Sequence, residues 1–106
     1  MTVKREVKEG IQLQGADETI TYKITSTPWG ATPTSLDAKI YSYNIDTAAY
    51  SDVTSSNMTG TASANGDVIT LPSIHSLTAG TRYRVEVKFT SSGNVFEPYF
   101  WIHAQR

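Results

Sequence analysis

Residues 82–89 alternate charged and apolar without a break: Tyr83, Val85, Val87 and Phe89 fall on one side, Arg82, Arg84, Glu86 and Lys88 on the other. A period of two marks a strand with one face in a core and one in water. Whatever this chain folds into must bring other apolar strands over that buried face. The preceding Leu77-Thr78-Ala79-Gly80-Thr81 holds a glycine where the chain reverses. Tyr83 enters three residues later, so its ring and hydroxyl can clamp the incoming loop.

Further strands are available on both sides. Residues 3–13 place Val3, Val7, Ile11 and Leu13 among charged residues and glutamines, as in an edge strand whose lysines discourage sheet-to-sheet association. Gly15-Ala16-Asp17-Glu18 reads as a turn. Residues 19–26 alternate again, with Ile20, Tyr22 and Ile24 on one side. Residues 27–35 hold two prolines and a glycine, which excludes helix and central strand and predicts a long loop. Residues 36–45 carry bulk on both faces: Leu36, Ala38 and Ile40 on one, Tyr41, Tyr43 and Ile45 on the other.

Residues 46–61 are rich in Ser, Thr, Asn and Asp, with short strands predicted near 50–54 and 58–63. Asn65-Gly66 stands between Thr61-Ala62-Ser63 and Val68-Ile69-Thr70-Leu71 and predicts a hairpin with a type I′ turn. Pro72 ends that strand, Ser92-Gly93-Asn94 turns the chain, and the last strand spans 95–105. No helix is predicted; 46–52 is too short and too rich in Ser and Thr to hold one.

About seven short strands separated by turn signals predict one all-β domain over residues 1–106, an antiparallel two-sheet sandwich, with a small barrel as the alternative. The chain has no cysteine, which excludes disulfides, thiolate metal sites and cysteine nucleophiles. Nine basic residues against ten acidic give a net charge of −1, so no overall field points to nucleic acid or an acidic membrane. Residues 1–9 lack the apolar stretch of a signal peptide, and no run approaches the roughly 18 apolar residues of a spanning helix. The expectation is a protein completed in the cytoplasm, with no nucleic acid and no membrane among its partners.

The spacing Leu77-x-x-Gly80-Thr81-x-Tyr83-x-Val85-x-Val87 resembles the corner leading into strand F of fibronectin type III and related immunoglobulin-like domains. The resemblance implies that fold, and a Tyr83 hydroxyl bonded back to the corner backbone, with Leu77 and Gly80 shaping the corner. The tryptophan usual in the second strand of type III domains is absent; Tyr22 stands nearest and Trp29 lies in the loop. Asp52-Val53-Thr54, then Gly66-Asp67-Val68-Ile69-Thr70-Leu71-Pro72, then the corner, are similar in order to small immunoglobulin-like proteins of bacteriophages and prophages encoded near head–tail or tail genes. That likeness implies a structural virion protein assembled in the cytoplasm.

Groups able to do chemistry are sparse. His75 precedes the corner and His103 lies on the last strand; with no Gly-x-Ser-x-Gly elbow, neither an enzyme nor a cofactor is expected. Asn44, Asp46, Asp52, Asn65 and Asp67 offer oxygen ligands in loops that could meet at one pole. No Asp-rich calcium loop is present, and turn Asn and Asp serve local hydrogen bonds, so no metal site is expected. Asn57-Met58-Thr59 matches a glycosylation acceptor, which has meaning only in an exported chain.

The outer face of the last strands carries more. With Phe96, Phe100, Ile102 and Ala104 inward, Tyr99, Trp101 and His103 point out. In the implied fold this strand neighbours 82–91, which neighbours 36–45. Tyr41, Tyr43, Arg82, Arg84, Tyr99, Trp101 and His103 then share one face, with guanidinium groups between rings at about 0.5–1 kcal/mol per exposed cation–π contact. One reading is a self-contained ladder that binds nothing. The other is a surface for other proteins or a second copy, since Tyr, Trp and Arg are enriched at the energetic centres of interfaces. The expected function is that of a non-catalytic structural or protein-interaction domain, virion-associated. The alternative is a carbohydrate-binding or cell-surface adhesion module with Trp29, Trp101 and the tyrosines as stacking platforms.

Overall fold

The computed structural model describes residues 11–106. Its strands are β1 (Gln12–Gly15), β2 (Lys23–Thr25), β3 (Thr34–Asn44), β4 (Ala49–Asp52), β5 (Met58–Thr59), β6 (Ser63–Asn65), β7 (Val68–Thr70), β8 (Ser73–Ile74), β9 (Arg82–Ser91), β10 (Asn94–Phe96) and β11 (Tyr99–Gln105). A single helical turn, α1 (Thr54–Asn57), sits between β4 and β5. The alternating segment is β9, at the middle of a sheet ordered β1-β11-β9-β3-β4, with β10 also paired to β9. A second sheet runs β2-β7-β6, and β5 pairs with β8. Ile20 bridges Ile74 and the Leu71 N–H donates to the Tyr22 carbonyl, so residues 20–25 run against 68–74 along their whole length.

The alternation decides what lies between the sheets. Ile40, Val85, Val87, Phe89 and Ile102 from the large sheet have no exposed surface. They join Ile24, Ile69, Met58 and Ile74 from the small sheets in one apolar cluster. Each such side chain gains about 1.5–3 kcal/mol from burial, which is why period-two strands commit so firmly to one side. The result is an all-β chain with several sheets around one core, compatible with a β-sandwich. No helix among the described residues is long and apolar enough to cross a membrane.

Several expectations change. The large sheet is mixed, not antiparallel throughout: β1 runs parallel to β11, from Gln12 opposite Ile102 to Gly15 opposite Gln105. The chain leaves β1 for the other layer at Ile20, so no hairpin ties β1 to its neighbour and its direction is free. Gly15 belongs to that strand, not to the turn after it; residues 3–10 of the expected edge strand lie outside the described residues. The strands exceed seven partly because the segment expected over 58–63 divides into β5 and β6 in different sheets, and partly because prolines, lacking N–H groups, interrupt longer extended segments. Pro72 separates β7 from β8, and Pro98 separates β10 from β11. Register across the second break is continuous, Phe96 opposing Phe89 and Tyr99 opposing Glu86, and the Val87 N–H donates to the Pro98 carbonyl.

The β6–β7 hairpin is shifted by one residue. Asn65 pairs with Val68, so Gly66 and Asp67 are the central residues, and only Gly66 has positive φ, 62°. That is the type II′ pattern; the type I′ pattern appears instead at Ser92-Gly93, with φ of 50° and 81° between paired Ser91 and Asn94. A helical turn also stands at α1 where none is expected. Its N–H groups at Ser56 and Asn57 donate to the Val53 carbonyl, and that of Thr54 to Asp52 Oδ1. The Asn57 side-chain amide donates to the carbonyls of His75 and Ser76. Tertiary bonds, not propensity, hold this turn.

Candidate interaction face

Even-numbered residues of β9 face away from the core. Arg84 stands opposite Tyr41 on β3 and Trp101 on β11; Arg82 stands opposite Tyr43 and His103; Glu86 stands opposite Lys39 and Tyr99. The seven residues singled out in the sequence are therefore neighbours on one surface. The edges add more: Tyr50 of β4 opposes Tyr43, Asp52 opposes Tyr41, and Leu13 of β1 opposes His103.

The rings pack on one another. Tyr43 and Tyr50 have centroids 4.9 Å apart at 46°, Tyr43 and Trp101 5.7 Å at 76°, and Tyr41 and Tyr50 6.5 Å at 85°. Arg84 closes the cluster from the other side: its guanidinium carbon lies 3.8 Å from the Tyr99 ring centre and 5.8 Å from that of Tyr50. Its Nε is 2.9 Å from Glu86 Oε2. Arg82 differs. It is exposed, and among the described residues its guanidinium has no ion-pair partner. Burial raises the Tyr41 phenol above its ordinary pKa, with Glu86 adding to the rise.

Six large apolar side chains are exposed among the described residues. Leu13, at 62%, and Tyr50, at 47%, flank the ring cluster, and Ile11 lies two residues before Leu13. Val95 sits at the far end of the same face, opposite Thr90. The sequence reading missed Tyr50 and Leu13 as members. Tyr50 could have been found from the β3–β4 hairpin, which aligns it with Tyr43; Leu13 could not, because its place depends on the parallel pairing. Toward Val95, Asp37 opposes Lys88 and Lys39 opposes Glu86 across the strands. With Tyr41 and Glu97 these line a shallow depression in which three carboxylates stand among two lysines.

The corner before β9 is structural. The Tyr83 hydroxyl accepts from the Thr78 N–H at 2.8 Å, Gly80 has φ of 86° and donates to the Ala104 carbonyl, and Leu77 is buried beside them. A second buried device escaped the sequence reading. Gln14 of β1 has 1% of its surface exposed. Its amide donates to the carbonyls of Glu18 and Ile74 and accepts from the Tyr22 hydroxyl at 2.9 Å, tying the large sheet to the small ones.

Other polar candidates stay apart from the face. His75 has Thr59 Oγ1 2.7 Å from Nε2 and Ser76 Oγ 2.9 Å from Nδ1. Among the described residues no group of three His, Asp or Glu side chains could hold a metal ion. Asn44 accepts from the Asp46 and Thr47 N–H groups, and Asp67 from that of Thr32. Asn57, the formal glycosylation acceptor, is buried with its amide nitrogen engaged. In comparisons with known proteins, no protein-family model and no curated protein matches the chain.

Proposed function

We propose that this chain is a non-catalytic binding domain that joins another protein through the outer face of the β1-β11-β9-β3-β4 sheet. The observation that carries this reading is the gathering of exposed Ile11, Leu13 and Tyr50 around the Tyr43–Trp101–Arg84 cluster. Contiguous exposed apolar patches on small domains mark interaction sites, and Tyr, Trp and Arg supply most binding energy there.

The fold is proposed to be of the immunoglobulin or fibronectin III kind. In support, β9 lies between β11 and β3 as strand F lies between G and C, β2-β7-β6 corresponds to B-E-D, and Tyr83 bonds back to its corner. The proposed setting, a small virion-associated protein of a phage or prophage, rests on the sequence likeness alone. The carbohydrate-binding alternative has less support, because stacking on sugar needs flat, accessible ring faces and these rings meet tilted or edge-on.

A photo-crosslinking amino acid at Tyr50, in cells that make the protein, should give discrete protein adducts, and the same residue at Val68, exposed on the small sheet, should give few. Equal yields at the two positions, or none at Tyr50, would refute the reading.

A further inference from the structure

We infer that the occupant of this face is an acidic, apolar protein segment that sets a carboxylate on Arg82 and an apolar side chain against Trp101 and Leu13. This rests on the binding role proposed for the face and adds the chemistry of the partner.

The two arginines of the ring-bearing half are in different states. Arg84 is ion-paired and covered: its Nε lies 2.9 Å from Glu86 Oε2, without hydrogen-bond alignment, and its guanidinium carbon stands 3.8 Å from the Tyr99 ring centre. Arg82 lies one step along the same face, between Tyr43 and His103, exposed and without an ion-pair partner among the described residues. Among the described residues, the neighbouring acids of this face are engaged elsewhere, Glu86 by Arg84 and Asp52 by the Thr54 N–H. At the other end Lys39 and Lys88 share the surface with Asp37, Glu86 and Glu97, so that end carries no excess of positive charge.

A partner reaching from Leu13 to Tyr50 must also cover Arg82, because Leu13, His103, Arg82, Tyr43 and Tyr50 lie in one row across adjacent strands. Covering a guanidinium without supplying an acceptor strands a desolvated charge. A purely apolar segment is thus penalised and a basic one repelled, whereas a carboxylate supplies a charge-assisted, two-point contact.

The test is selection of random peptides on the purified chain, with bound peptides mapped by amide chemical shifts. Peptides joining Asp or Glu to Leu, Phe or Trp should be enriched, and the best should perturb β1, β11 and β9. Arg82→Glu should weaken it by about tenfold or more, the scale of one charge-assisted contact, and Arg82→Lys should retain most of the affinity. Binding should also weaken as salt is raised. Peptides that map to this face without acidic preference, or that bind Arg82→Glu equally well, overturn the inference and leave the binding role standing. Peptides that map elsewhere remove both. Concentration-dependent self-association abolished by Trp101→Ala names a second copy as the occupant and overturns the inference.

Discussion

Inward from β9 lie Val85, Val87 and Phe89, and outward lie Arg84, Glu86 and the rings of Tyr41, Tyr99 and Trp101 on the neighbouring strands. Both layers are crowded with large side chains, yet they are held differently. The inner layer is closed by other strands and excludes water, so its energy scales with apolar area and scarcely depends on orientation. The outer layer is half-open, and its cohesion comes from directional contacts: Tyr43 edge-on to Trp101, Arg84 over Tyr99, Arg84 to Glu86. The inner face decides that the sheet forms. The outer face is free to be shaped by what it binds.

The largest test of that difference pairs one residue from each layer. Phe89→Ala, deep in the core and stacked near Phe96 at 5.7 Å, should cost about 3–5 kcal/mol through lost transfer energy and a residual cavity. Trp101→Ala should cost less, about 2 kcal/mol, from its partial apolar burial together with its ring contacts. Urea denaturation of both variants measures the contrast. Equal losses would mean that the outer rings form a second core, and the distinction between the faces would collapse.

Legibility in the sequence followed the same division. The alternations over 19–26, 36–45, 82–89 and 95–105 name the inward residues correctly, because burial on one face of a strand leaves a period of two. The loop expected over 27–35 was legible from its prolines and glycine except at its end, where β3 already begins at Thr34, and the chain reversals near 66 and 93 were legible from Gly. What stayed hidden depends on contacts distant in sequence. Gln14 reads as a polar edge residue, and only the parallel pairing of β1 with β11 turns it inward to meet Ile74 and Tyr22. Asn57 reads as a glycosylation acceptor until its amide meets the 75–76 backbone. The outer-face cluster was legible in part, since two strands supply it by simple alternation, but Tyr50 and Leu13 enter through edge pairings that local pattern does not carry.

Gln14 sharpens the comparison, because it is a directional contact placed inside the area-driven layer. Gln14→Ala leaves the Ile74 carbonyl and the Tyr22 hydroxyl without their partner in a buried setting, a loss of about 1–3 kcal/mol. Tyr22→Phe removes one hydroxyl and should cost less. If Gln14→Ala leaves the denaturation midpoint unchanged, the amide is not what joins β1 to the small sheets.

Titration gives the smallest effect and separates the layers once more. Burial raises the phenol of Tyr22, on the inner side, with Glu18 adding to the rise. It also raises that of Tyr41 on the outer side, with Glu86 adding. An unfolded tyrosine loses its proton near 10.0 and these two lose theirs above it, so in that interval the unfolded chain binds fewer protons than the folded one. The stability they contribute is therefore full below pH 10.0 and is lost as the pH rises through the folded values. Asp52 has the opposite sign: the Thr54 N–H and hydroxyl hold its carboxyl below 3.8, so its contribution is present above that value and lost as the pH falls. Urea midpoints of the wild type, Tyr22→Phe and Tyr41→Phe at about pH 8 and about pH 10.5 resolve the alkaline side. The wild type should lose more on alkalinisation than either variant. Tyr22→Phe should remove the larger share, since a phenol packed against the core has fewer waters to accept its charge than one on the open face. The reverse order would mean that the outer surface is the drier of the two, and the division between a closed inner layer and an adaptable outer one would have to be redrawn.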